Sequence, residues 1–268
     1  MNKAQVKLQR RQEKELHRQK KRLGQFEQDT VMPPIHCACV IHGAHYDWQY
    51  VETLYNMIKR HLSHEFVMHV YTERSRRVPD HMIKHELDEW PGVYGPKRSW
   101  WYKLQLFDVN KYAGRLLYFD LDTVICNSIN WVLDCDPKYF WAVKDFKHLW
   151  RTDWQGLNSS ILYFDNRYYT HIWQYFHRLP LDSVIKQYPG DQDFLSSQIP
   201  LNQLRFFDTN LVKSWRWEIL DGGLDMKSRK YRRPGAGAVV PKDTSLMIFH
   251  GTPKPKEVQD PFVVHNWL

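Results

Sequence analysis

Three kinds of feature are scarce in these 268 residues, and each scarcity closes off a class of protein. Cysteine is rare: Cys37, Cys39, Cys126 and Cys135 are the only four, with no C-x-x-C spacing. A chain this long does not depend on a disulfide framework, and the spacing lacks the usual zinc and dithiol patterns. Long apolar runs are missing too. No stretch approaches the ~20 apolar residues of a transmembrane segment, and the charged N-terminus lacks the apolar core of a secretory signal. A soluble protein in a reducing, cytoplasmic compartment is the expectation. Several enzyme fingerprints are also missing: the G-x-x-x-x-G-K phosphate loop, the G-x-S-x-G elbow and, despite 14 histidines, H-E-x-x-H. The turn after the first expected strand has no G-x-G-x-x-G, which argues against a dinucleotide dehydrogenase.

Positive charge is plentiful but unevenly placed. The net charge is +8, and residues 1–29 carry nine Lys/Arg against four acids, +5 of the total. The body is therefore only mildly basic. Residues 1–30 read as a basic tail, helical or disordered, able to meet an anionic surface. Pro33-Pro34 ends it, and one domain is expected over residues 31–268. Aromatics make up 15% of the chain, with 12 Trp. Flat rings suit sugars and bases, but they are also ordinary core fillers.

The body alternates strand and helix patterns. Ile35–Ile41 reads as a buried strand with Cys37 and Cys39 on one face, followed by a loop and a helix carrying Val51, Leu54, Tyr55, Ile58 and Leu62. Strands are expected at 66–71, 115–122, 139–143, 160–164, 204–207 and 245–250. Helices are expected at 79–90, 99–110, 169–177 and Asp191–Gln198, with Asp191 as an N-cap. This predicts an α/β fold with a mixed, mostly parallel sheet, helices on both faces, and ligands at the carboxyl ends of the strands. Residues 220–241, glycine-rich around a basic patch, read as a long mobile loop.

Three D-x-D triplets occur, and context separates them. Only Asp120-Leu121-Asp122 lies between apolar runs, at the end of a buried strand. Two carboxylates there repel and lose hydration unless a cation or hydrogen-bond donors compensate. Residues i and i+2 of an extended chain project to one side, so both acids can converge on a hard divalent ion. The bland alternative is a pair of acids capping a helix or pairing with Arg115. Asp134-Cys135-Asp136 precedes Pro137 and reads as a surface turn.

Lys103-Leu104 before the 115–122 run, Gly156 to Ser160 (GLNSS), Gly190-Asp191-Gln192-Asp193, and Phe249 to Pro255 (FHGTPKP) follow in order along the chain. Together they resemble glycosyltransferase family 8, the group of glycogenin and the lipopolysaccharide galactosyltransferases. That resemblance implies a GT-A-type nucleotide-diphospho-sugar transferase fold and a metal-dependent, retaining hexosyl transfer from a UDP-sugar. It implies Mn²⁺ (or Mg²⁺) on Asp120, Asp122 and His250. Asp120 would also approach the ribose, while Gly251 and Lys254 meet the diphosphate. Lys103 would contact donor hydroxyls, Asn158 and Asp191 would position the sugar, and Gln192 would lie beneath its reactive carbon. Tyr46 would stack on the base. Here Gly251 follows His250 directly, where the family has two residues between, and Ser160 replaces a family glycine. The acceptor, whether glycan, lipid or protein, has no signature. The competing readings are a nucleotide-sugar-binding protein without transfer activity, and a basic module for nucleic acid or a membrane surface. A nucleotidyltransferase would carry a Gly/Arg-rich loop after its first strand, where only Gly43 stands.

Overall fold

A strand buried on both sides must divide its side chains between two cores, and the first one does. In β1 (Ile35–Ile41), Cys37, Cys39 and Ile41 enter one core while Ala38 enters the other. The structure, a computed structural model, describes residues 33–95 and 98–268. The basic tail expected over residues 1–30 lies outside the described residues. The chain divides between Pro34 and Ile35, and all of its described strands and helices lie in the second unit, Ile35–Leu268.

The remaining strands are β2 (Phe66–Thr72), β3 (Met82–Glu86), β4 (Arg115–Phe119), β5 (Thr123–Ile125), β6 (Phe140–Lys144), β7 (Leu157–Asp165), β8 (Leu204–Phe206), β9 (Val212–Ser214) and β10 (Leu246–Ile248). Seven form the main sheet in the order β3-β2-β1-β4-β7-β6-β8. Only β7 runs against its neighbours. One face packs on the Trp48–His61 helix through Val51, Leu54, Met57 and Ile58. The other is covered by the Ser99–Phe107 segment and the Thr170–Arg178 and Asp191–Gln198 helices. Phe107, Phe140, Phe164 and Tyr169 form an aromatic knot there, with ring centroids 4.7–6.1 Å apart; truncating one such ring costs about 3–5 kcal/mol. A small sheet, β5-β10-β9, stands at the carboxyl end of β4 and brings residues near 120 and 250 together.

Several expectations give way to tertiary context. Residues 79–90 are not helical: Met82–Glu86 is the edge strand, parallel to β2. The free edge of β2 offers backbone partners that outweigh local propensity, and Ile83 is left 44% exposed. The helix expected at 99–110 is a 3₁₀ run ending at Phe107, and residues 101–107 are all buried. No amphipathic stripe exists to hold a regular α-helix against one surface. The strand expected to reach Asp122 stops at Phe119, because the chain turns there to enter the second sheet. Gly190, not Asp191, is the N-cap of the Asp191–Gln198 helix. Residues 220–241 are a folded excursion closed by the bridges Leu220↔Ala238 and Leu224↔Tyr231. The Leu181–Gln187 and Pro261–Asn266 helices, both short, and β9 have no periodic pattern long enough to read.

Candidate functional site

The turn between β4 and β5 carries both acids of the first D-x-D triplet, and each meets a lysine. Asp120 is fixed to β7 by its backbone N–H, which donates to the Ser160 carbonyl at 2.7 Å. Its Oδ1 accepts from the Tyr118 hydroxyl at 2.5 Å and lies 3.0 Å from Lys103 Nζ. Lys103 also lies 3.0 Å from Asp191 Oδ2 and donates to Ser159 Oγ at 2.9 Å. The Ser159 hydroxyl donates to that same Asp191 oxygen at 2.7 Å. Lys103 is 3% exposed. Burial alone would strip its proton, but Asp120 and Asp191 outweigh burial and raise its pKa. The expected helix cap on Asp191 is thus replaced by an ion pair that locks β7, the 3₁₀ segment and the Asp191–Gln198 helix together.

Asp122 has partners of its own. Its Oδ2 accepts from the Tyr46 hydroxyl at 3.0 Å and pairs with the Lys254 ammonium. The Asp122 backbone carbonyl accepts from Phe249 N–H at 3.0 Å, which ties the acid to the end of β10. Burial raises the Asp122 pKa; Lys254 opposes this and the neighbouring Asp120 reinforces it, leaving a net rise. Lys254 Nζ also stands 5.6 Å from the centre of the Tyr46 ring. Neither acid pairs with Arg115; their partners are the two lysines and the two tyrosines.

His250 follows β10 and turns to β9. Its Nε2 is 2.6 Å from Ser214 Oγ, and its ring packs on Trp217 and Phe146 with centroids 4.1 and 5.4 Å away. Burial, with help from Arg216 and Lys254, lowers its pKa to about 4, so the imidazole is neutral. Among the described residues, no three His, Cys, Asp or Glu side chains gather as a metal site. The structure therefore brings Asp120 and Asp122 onto one turn but leaves His250 engaged elsewhere. Gly251 is exposed at φ +80, a conformation that favours glycine, and a Cβ there would meet nothing within 4 Å.

Asn158 lies on β7 beside the bulge at Ala142/Val143, its Oδ1 accepting from Ser160 N–H at 3.1 Å. Gln192 follows Asp191 in the first turn of its helix. Three participants escaped the sequence reading: Tyr118, Ser159 and Ser214. Tyr118 has a legible signal, since it lies two residues before Asp120 on the same extended run. Ser159 sits inside the GLNSS segment but gave no hint of its partners, and Ser214 had none.

No family model matches the chain, and no curated protein matches its sequence. Solved structures share its fold. The galactosyltransferase LgtC, in complex with donor and acceptor sugar analogs, is 11% identical with a TM-score of 0.55, over 87% of this chain and 95% of that one. An active-site mutant of LgtC gives a TM-score of 0.58 at 11% identity, over 85% of this chain and 91% of that one. The bifunctional glycosyltransferase WbbM gives 0.59 at 14% identity, over 89% of this chain and 50% of that one. At such identities the likeness establishes the fold, which is the expected GT-A type with its mixed, mostly parallel sheet. Among the described residues no helix is long and apolar enough to cross a membrane.

Proposed function

We propose that this chain is a glycosyltransferase that moves a sugar from a UDP-sugar to a hydroxyl acceptor, with retention of anomeric configuration. The observation that carries this reading is the double acid–lysine cluster at the carboxyl end of β4. Asp120 with Lys103, and Asp122 with Lys254 and Tyr46, stand where ligands of open α/β sheets bind. The LgtC and WbbM folds support it, since the names those proteins carry are those of glycosyltransferases.

Breaking a sugar–phosphate bond leaves a nucleoside diphosphate with additional negative charge, which preorganised cations stabilise as it develops. Lys254 supplies one such cation, and the exposed Gly251, three residues before it, has a backbone that can approach a phosphate closely. Lys103, buried between Asp120 and Asp191, fixes both acids and brings its charge to the donor hydroxyls. Asp191 and Asn158 orient the transferred sugar, Gln192 lies beneath its reactive carbon, and Tyr46 stacks on the base.

Asp120 and Asp122 fit a divalent ion such as Mn²⁺ or Mg²⁺. Both are hard oxygen donors two residues apart, and burial together with their mutual repulsion raises the proton affinity of Asp122, so a cation is welcome there. The ion would supply Lewis-acid stabilisation of the departing diphosphate. His250 adds to that pair only by giving up its bond to Ser214. A cytoplasmic setting, with four free thiols, belongs to the same reading.

A hydrolysis screen of nucleotide sugars with Mn²⁺ tests the function without knowledge of the acceptor. The expected result is release of UDP by the native chain. Asp122→Ala is expected to abolish Mn²⁺-dependent UDP binding in calorimetry, and equal binding by the variant would overturn the site.

A further inference from the structure

Beyond the wide π turn of Trp215–Ile219, the chain leaves the body and returns at Ala238. The excursion is tightly tied. Asp221 N–H donates to the Gly237 carbonyl at 2.7 Å, Arg233 N–H to the Asp221 carbonyl at 2.7 Å, and Asp225 N–H to the Lys230 carbonyl at 2.8 Å. Two glycines seat it. A Cβ on Gly223 would lie 2.8 Å from the Trp217 carbonyl oxygen, and one on Gly237 would lie 2.5 Å from Asp260 Oδ2. Trp217 in turn packs on the ring of His250, so the root of the excursion stands against the segment that follows β10.

The tip exposes Lys227, Arg229, Lys230, Arg232 and Arg233. Among the described residues, none of the five has an ion-pair partner within 4 Å, though Arg232 is attracted to Asp225. The two acids of the segment are already engaged: Asp221 accepts from Gly237 N–H, and Asp225 from the N–H groups of Lys227 and Ser228. Five cations held on a rigid support repel one another, and an anion relieves that repulsion. The character of the surface narrows the anion. No large apolar side chain is exposed over residues 227–236, so the tip has nothing to insert into a bilayer. Its one aromatic, Tyr231, is half-buried in a bridge and offers bases no stacking platform. Spaced cations without rings or aliphatics suit discrete phosphates on a hydrated, polyhydroxylic chain.

We propose that residues 220–241 form an anion-binding arm that docks a phosphate-bearing acceptor glycan near the candidate site; this rests on the transferase reading above. The probe is yeast phosphomannan, with dephosphorylated mannan, phosphatidylglycerol vesicles and duplex DNA as the other arms, all against immobilised full-length chain. The arm variant is Lys227→Gln with Arg229→Asn and Lys230→Gln. A control variant, Lys59→Gln with Arg178→Gln and Lys186→Gln, removes the same charge from exposed positions elsewhere. The native chain and the control are expected to bind phosphomannan alike and to ignore the neutral mannan. The arm variant is expected to bind about tenfold more weakly or worse, as three exposed ion pairs together allow, with its thermal melt not lowered. Equal binding by arm and control variants, or a native preference for vesicles or DNA, overturns the proposal. Donor hydrolysis measured on the same samples separates the two readings. If it is intact in all three chains while arm dependence is absent, the arm falls and the transferase stands. If it is absent in the native chain while arm-dependent binding persists, the anion site stands and its role as an acceptor dock falls.

Discussion

Acidification from pH 7.5 to 5 should destabilise this fold through a ladder of three imidazoles on β1, β2 and β3. His36 Nδ1 lies 2.8 Å from His69 Nε2, and His69 Nδ1 lies 2.7 Å from His85 Nε2. Tyr112 packs against His36 and His69, and Tyr71 stacks on His85. The charged groups around them are Lys111 beside His85, Asp108 near Tyr71, and Arg115, Asp165 and Arg167 near Tyr112. His69 is 1% exposed, and burial, with His85 and His36 beside it, pushes its pKa down to about 3. Burial and then Lys111 push His85 down to about 4. Both values lie below the 6.5 of an unfolded histidine, so the unfolded chain binds the extra protons. The stability is fully present above pH 6.5 and is lost as pH falls toward the folded values. Between pH 7.5 and 5, a histidine that stays neutral in the fold forfeits about 2 kcal/mol. His69 should show that full amount, and His85, closer to solvent, a smaller one. For a domain of this size, about 2 kcal/mol lowers the melting temperature by roughly 4–8 °C. Urea unfolding at stepped pH, on the native chain and on His69→Phe, reads the difference. The variant loses two hydrogen bonds and starts lower, so the informative quantity is the slope. Parallel pH profiles for the two chains would refute the linkage.

Other outcomes follow from single contacts. Lys103→Met leaves the buried Asp191 and the half-buried Asp120 without their cation and should cost about 3–5 kcal/mol in urea unfolding; adding Asp191→Asn should restore part of it, and no recovery would place the loss elsewhere. Gly223→Ala forces a Cβ against the Trp217 carbonyl at φ +85 and should cost about 1–3 kcal/mol. Arg229→Gly relieves a φ of +58 and should raise stability by up to about 1 kcal/mol; thermal melts of both variants check the pair. A thiol reagent at pH 8 should react slowly with the native chain and with four thiols after denaturation. Burial raises Cys126 to about 12 and Cys135 to about 11, and Cys37 and Cys39 further still.

The sequence by itself determined the elements whose signals lie within a few neighbouring residues. Ile35–Ile41 and Asp191–Gln198 have the bounds expected of them, since a short apolar run and a helix start just after Pro189-Gly190 are local signals. The sequence also singled out Asp120-Leu121-Asp122 from three like triplets, because flanking apolar runs betray a buried strand end. Only the tertiary structure decided pairing. Met82–Glu86 is a strand because β2 has a free edge, and residues 101–107 wind as a 3₁₀ segment because both of their sides are enclosed. Lys103 reaches Asp191 across 88 positions and Lys254 reaches Asp122 across 132, partnerships that no local periodicity encodes. The same holds for His250, whose Nε2 meets Ser214, brought alongside by the parallel pairing of β9 and β10. Local chemistry names which groups need a partner, and the sheet order decides which partner is within reach.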